Sequence, residues 1–233
     1  MEDHYLRQLP GDLQALVQAT EQHSGFAIQV EADPARGTTL ACHVDERSAR
    51  LLVSREEFFQ PASVMHELLH MRRFLVDGVP QIVVNDDFND WTPQLEAGLT
   101  NLDSSLEHLV IVPEEILRFS VRRQYWAGVM TRKLREIRVN PLDPDDRRRH
   151  ALVNWLFIHH VPMEDALRQA ADRLLDELGL RQQADAFRDA LVHTLAVKEE
   201  TVRVCFAWLN IPFATAALKC IDSRAREARA VAL

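Results

Sequence analysis

The sequence predicts an α+β fold, with a small antiparallel sheet packed on one buried helix, followed by a mostly helical C-terminal region. Three observations carry this. Short stretches of period-two alternation come early, through Phe26, Ile28 and Val30 and again from Ala49 to Ser54. The segment from Ser63 to Leu75 then carries Leu68, Leu69, Met71, Phe74 and Leu75, dense enough to bury a helix over most of its surface. Beyond Pro113, apolar residues recur at helical spacing through several segments.

Taken in order, Leu13, Leu16 and Val17 predict a first amphipathic helix between Pro10-Gly11 and His23-Ser24-Gly25. The strand at Phe26 to Val30 is followed by a turn, Asp33-Pro34-Ala35-Arg36-Gly37. Two more strands follow, Thr38 to Val44 and Ala49 to Ser54, joined through Asp45-Glu46-Arg47. Phe58, Phe59 and Pro61 lead into the apolar helix, with Ser63 available to cap it. From Asp77 to Thr92 the chain reads as a solvated connection holding a short apolar run, Gln81 to Val84, and the acidic Asp86, Asp87 and Asp90; a lid or a cation-binding patch is the alternative.

A helix from Pro93 to about Val110 carries the stripe Leu95, Leu99, Leu102, Leu106 and Leu109. After Pro113 a long helix runs to about Ile137, with Arg122, Arg123, Arg132, Lys133, Arg135 and Arg138 on its polar side. Asn140 to Asp146 reads as a linker and helix start. Helices are then expected at Asp145 to His159, Pro162 to Leu178 and Gln182 to Leu195. Lys198 to Leu209 is compatible with helix or strand, and Phe213 to Val231 reads as a final helix. This gives two domains, residues 1–112 and 113–233.

Composition narrows the function classes. The chain has 27 Lys+Arg against 35 Asp+Glu, a net charge of -8, which disfavours a general nucleic-acid binder. No apolar run approaches the roughly 18 residues of a membrane span, and Met1-Glu2-Asp3-His4-Tyr5 lacks the features of a signal peptide, so the expectation is a soluble cytoplasmic protein. Cys42, Cys205 and Cys220 lie far apart without C-x-x-C spacing and read as reduced thiols.

The chemistry concentrates in Met65-His66-Glu67-Leu68-Leu69-His70, an H-E-x-x-H run in the apolar helix. Residues four apart share a helix face, so His66 and His70 can hold one metal ion. Glu67 beside them is placed to take a proton from a metal-bound water. Two imidazoles suit zinc, whose catalytic sites add a third protein ligand and keep one position for water. On the Pro93 helix, at about 100° per residue, Glu96, Asp103 and Glu107 fall on one flank of the stripe, and Asn101, Ser104 and His108 on the other.

The run resembles the zincin metallopeptidases, although Arg72 stands where that group usually has an apolar or small residue. The resemblance implies an edge strand before the metal helix, for which Ala49 to Ser54 is the candidate, and a third ligand on a later helix. The gluzincin plan within that group implies a glutamate, and Glu107 is taken as that ligand, with Glu96, His108 and Asp103 as alternatives. The core ending at Leu109 to Pro113 also partly resembles the ImmA/IrrE group, without its acidic-Ala-Asn pattern. The resulting expectation is a zinc peptidase acting on an intracellular protein or peptide, with His66, His70 and Glu107 on the metal and Glu67 as base. A binding or regulatory module with a structural or absent metal is the alternative, and a small-molecule amidase or deaminase a third. His150, His159, His160, His193 and Tyr125 are further potential donors to an oxyanion.

Overall fold

Period-two and period-3.6 patterns sort this chain into an α+β fold whose segments cluster in two compact units. The computed structural model describes residues 1–36, 39–54 and 59–233. The first unit is Met1–Val83 with Ala217–Val231, and the second is Val84–Ala216 with Ala232–Leu233.

In the first unit, a short helix α1 (Asp3–Leu6) precedes α2 (Gly11–Ser24). Gly25, at φ 70°, ends α2 in the left-handed conformation that glycine adopts without steric penalty. Strands β1 (Ile28–Ala32), β2 (Ala41–Val44) and β3 (Ala49–Val53) form a sheet in the order β1-β3-β2. The expected antiparallel sheet is therefore mixed: β3 pairs parallel with β1, Ile28 opposite Ala49, and antiparallel with β2, Ala41 opposite Leu52. The expected edge strand is also the central one. Ala49, Leu51 and Val53 are fully buried, and both backbone edges of β3 are paired. Alternation reveals which face is buried and says nothing about which strand lies next to which.

The β2–β3 turn is set by Asp45, whose Oδ1 accepts from the backbone N–H groups of Arg47 and Ser48, each at 2.7 Å. The expected beginning of β2 at Thr38, like Gly37 and Phe58, lies outside the described residues.

Helix α3 (Pro61–Leu75) packs against α2, β2 and β3. Pro61 begins it, where a missing N–H costs nothing. Gln60 occupies the cap position without a side-chain bond, so Ser63 is not the cap.

The expected connection at Gln81–Val84 is a strand, β4, in a second sheet of order β4-β5-β6. Its partners come from the chain end, where the expected final helix is a hairpin of β5 (Ala216–Asp222) and β6 (Glu227–Ala232). Alanine-rich sequence favours helix, but β5 buries Ala216, Ala217, Leu218 and Ile221. Asp222 Oδ1 holds the turn by accepting from Arg224 N at 3.0 Å and Ala225 N at 2.9 Å, and Arg226 takes positive φ. Arg226 also donates to the Gly25 carbonyl and lies 3.9 Å over the Phe26 ring, so long-range pairing overrides local propensity.

The second unit is helical: α4 (Pro93–Arg118), α5 (Val121–Val139), α6 (Pro144–His160), α7 (Asp165–Glu177), α8 (Arg181–Val192) and α9 (Lys198–Leu209). Its centre is α6, which packs on α4, α5, α7 and α8 and buries Leu152, Trp155, Leu156 and Ile158. The segment open to helix or strand is α9. Helix α4 continues through Pro113, so the expected boundary at 112/113 falls inside one helix. Proline there removes the hydrogen bond that Leu109's carbonyl would accept, and the His160 imidazole lies near that carbonyl. Among the described residues, no helix is long and apolar enough to cross a membrane.

Candidate metal centre

The packing of α3 on α2 and on β2 and β3 puts polar residues where apolar ones would ordinarily sit. His66, Glu67 and His70 are each only 8% exposed, among Leu68, Leu69 and Met71 with no exposure at all. The two imidazoles stand edge to face with ring centroids 5.0 Å apart, one helical turn along the same side. Phe74 stacks on His70 one turn further on, at 6.0 Å. Polar groups buried in this way lose hydration and need partners to offset the loss.

Helix α4 carries two polar pairs at i,i+4 spacing, about 100° apart around its axis. One is Asp103 and Glu107, which face Lys198 at the start of α9. The Lys198 Nζ lies 2.8 Å from Asp103 Oδ1 and 2.6 Å from Glu107 Oε1, and the three side chains are 4%, 12% and 1% exposed in the order Lys198, Asp103, Glu107. Two buried carboxylates are tolerable here because one ammonium lies between them.

The other pair is Ser104 and His108, with Ser104 Oγ 3.3 Å from His108 Nε2. The His108 ring meets Trp126 edge-on at 4.9 Å. Trp126 in turn donates through Nε1 to Glu115 Oε2 at 2.9 Å, and Glu115 is ion-paired with Arg122. These contacts hold the imidazole in place through neighbours that are themselves fixed.

His66, His70 and His108 form a group able to hold a metal ion, each offering one ring nitrogen within 4.8 Å of the others. The donor set fits: neutral imidazoles suit a borderline transition ion and not the oxygen-seeking Mg²⁺ or Ca²⁺. Of the expected third ligands, His108 is the one in this group. Glu107 is absent from the group and accepts from Lys198, and Glu96 is exposed in the first turn of α4, where the helix dipole favours a carboxylate. Asp103 shares the Lys198 ammonium. Sequence reasoning missed Lys198 entirely, because its partner Glu107 lies 91 positions away and an isolated lysine at a helix start carries no signal.

The remaining titratable candidates hold structural posts. His159 Nε2 lies 2.8 Å from Asp172 Oδ1, which also accepts from Trp155 Nε1 at 2.7 Å and pairs with Arg181. His160 engages Leu109, and burial holds the imidazoles of His150, His159 and His160 below their ordinary proton affinity. His193 follows α8 on the surface, and Tyr125 lies on the Arg122 guanidinium at 3.9 Å. No protein-family model, curated protein or solved structure matches this chain, so the reading of the site rests on its own chemistry.

Proposed function

We propose that this chain is a zinc-dependent peptidase that hydrolyses a peptide bond in a protein or peptide, with His66, His70 and His108 as metal ligands and Glu67 as general base. The observation that carries the reading is an H-E-x-x-H helix turn, buried at all three polar positions, grouped with a third imidazole. A purely structural site needs two ligands from such a helix and has no use for the glutamate between them.

When bound, zinc supplies a Lewis acid that polarises the scissile carbonyl and makes water acidic near neutral pH. The chain's own groups do the rest. His66 and His70, one turn apart on a helix fixed by packing, present their rings without further ordering. Ser104 Oγ lies 3.3 Å from His108 Nε2 and so restrains the orientation of that ring. Glu67 accepts the proton of the attacking water and delivers it to the departing amine nitrogen, so one carboxylate serves first as base and then as acid.

Elemental analysis of the purified chain, with His66→Ala, His108→Ala and Glu67→Gln variants, tests the assignment. Near-stoichiometric zinc is expected in wild type and in Glu67→Gln, and its loss in both histidine variants. Against a quenched-fluorescent peptide library, Glu67→Gln should be slower by roughly 10²–10⁴-fold. Absence of metal from wild type would favour the binding-module reading. Metal retained in His108→Ala but lost in Glu107→Ala would return the third position to the glutamate. Hydrolysis that survives in Glu67→Gln would remove the base from the mechanism.

A further inference from the structure

Helix α5 has a polar side that the fold does not use. Its inward side is formed by Arg122, Trp126, Met130, Leu134 and Ile137, all buried. The opposite side, at about 100° per residue, runs through Val121, Tyr125, Gly128, Arg132, Arg135 and Val139, all exposed. Three features of this stripe point outward.

It begins with large apolar groups in water. Val121 is 65% exposed, Tyr125 45% and Val139 68%, and the chain enters the helix past Leu117, which is 88% exposed. The Tyr125 ring is already ordered, lying 3.9 Å over the Arg122 guanidinium and edge-on to Trp126 at 5.5 Å. An aromatic side chain that is both exposed and immobilised is the usual form of an interface anchor.

Gly128 sits mid-stripe. Its backbone is helical, and a Cβ placed on it would meet nothing within 4 Å, so neither conformation nor internal packing requires glycine there. Glycine inside an exposed helix weakens it relative to alanine. What it gives in return is a notch that lets another backbone approach closely, as small residues do at helix crossings.

The third feature is charge. The chain as a whole is at -8, yet α5 holds Arg122, Arg123, Arg132, Lys133, Arg135 and Arg138 against Glu136 alone. Among the described residues, Arg123, Lys133 and Arg135 form no ion pair, and Arg132 reaches Glu136 only at 4.0 Å. A second copy of α5 laid on this stripe would bring like charges together, and a lipid surface has no use for a notch one backbone wide.

We infer that the Val121-Tyr125-Gly128-Arg132-Arg135 face of α5 is a docking site for an acidic amphipathic helix of a partner protein. Apolar side chains of that helix would cover Val121 and Tyr125, its backbone would cross at Gly128, and its carboxylates would meet Arg132 and Arg135. The proposal does not depend on the assignment of the metal centre.

A designed 20-residue helical peptide with leucines on one face and glutamates flanking them provides the probe, with a matched peptide carrying lysine for glutamate as control. Anisotropy titrations of the full chain should show the acidic peptide bound at least tenfold more tightly than the control, and more weakly as salt rises. Gly128→Leu fills the notch without touching the core; it should lower affinity about tenfold or more while thermal stability is kept. Arg132→Glu with Arg135→Glu should abolish the preference for the acidic peptide. The inference is overturned if wild type does not distinguish the two peptides, or if Gly128→Leu binds within twofold of wild type. It is equally overturned if the face binds phosphatidylserine vesicles in place of the peptide, or if light scattering shows a dimer that Gly128→Leu dissociates.

Discussion

At the scale of single residues, the strongest electrostatic commitment outside the metal centre is Lys198. Its ammonium is the shared counter-charge of Asp103 and Glu107, and none of the three side chains is more than 12% exposed. Removing one partner of a buried ion pair leaves charge uncompensated in a medium that solvates it poorly, so Lys198→Met should destabilise the fold by about 3–5 kcal/mol. Denaturant unfolding measures this, and adding Glu107→Gln should recover part of the loss; no recovery would mean the carboxylates are compensated elsewhere. Cys205 makes a second residue-scale test. It is fully buried, and burial pushes its thiol up to about 12, against a smaller opposing pull from Lys198. The unfolded thiol ionises nearer 9, so its contribution to stability is complete below that pH and is lost as pH rises towards 12. In the native state at pH 8, a thiol reagent should label the exposed Cys220 and spare Cys205 until the chain unfolds. The histidines of α3 were legible because a local motif carries them. His108 was legible only as one of several candidates on its helix, and Lys198 not at all, because ion pairing across 91 positions leaves no trace in local pattern.

Elements raise the question of what a proline does inside α4. Pro113 leaves Leu109 without its helical donor, and the imidazole of His160 on α6 lies near that carbonyl. A double-mutant cycle on Pro113→Ala and His160→Ala should therefore show coupling of about 0.5–1.5 kcal/mol, because the alanine at 113 restores the donor that His160 replaces. Additive losses would mean that water serves the carbonyl. Helix α6 also carries His150 and His159, and burial lowers the proton affinity of all three imidazoles. A folded pKa below the ordinary 6.5 contributes stability that is intact above that pH and lost as pH falls through it, so melting temperature should drop between pH 7 and 5. Asp172 acts in a lower window. Burial raises its pKa, but the Trp155 hydrogen bond and the charges of His159 and Arg181 outweigh that and hold it below 3.8. Replacing His150 and His160 with glutamine should shrink the upper step alone, whereas His159→Gln should also move the lower window, because His159 helps to hold Asp172 down. On α5, Gly128→Ala should stabilise the fold by about 0.5–1 kcal/mol, since the added methyl meets nothing in the chain. Helices with an apolar stripe were readable because 3.6-residue periodicity is local. The proline in α4 read as an end because its compensation comes from another helix.

The whole molecule departs most from its sequence in where its ends go. A linear reading divides the chain into an early catalytic half and a later helical half, whereas the first compact unit takes its last strands from Ala217–Val231. Nothing in Phe213 to Val231 announces strands, because the ladder partner of β5 is β4, more than 130 positions earlier, and helix propensity is all that local sequence displays. The hairpin is not an ornament on that unit. Ser223 Oγ donates to the carbonyl of Leu75 at the end of α3, Arg226 ties to Gly25 at the end of α2, and Lys219 reaches Glu46 in the β2–β3 turn at 3.5 Å. Without β5, strand β4 would lose its neighbour in the sheet. A chain ending at Ala216 should therefore keep slow amide exchange in α5 to α8, whose packing lies in the second unit, and lose protection in β4 and at the C-terminal ends of α2 and α3. If β4 and the ends of α2 and α3 stayed as protected as in the full chain, the hairpin would be dispensable. Since α3 carries His66 and His70, the same truncation should also weaken zinc binding under the proposed function, and titration with zinc after truncation separates that loss from simple unfolding. Metal that binds only the native state raises stability by about 2.7 kcal/mol at a hundredfold excess over its dissociation constant. A truncated chain that retained the site would still show that shift; one whose α3 had loosened would not.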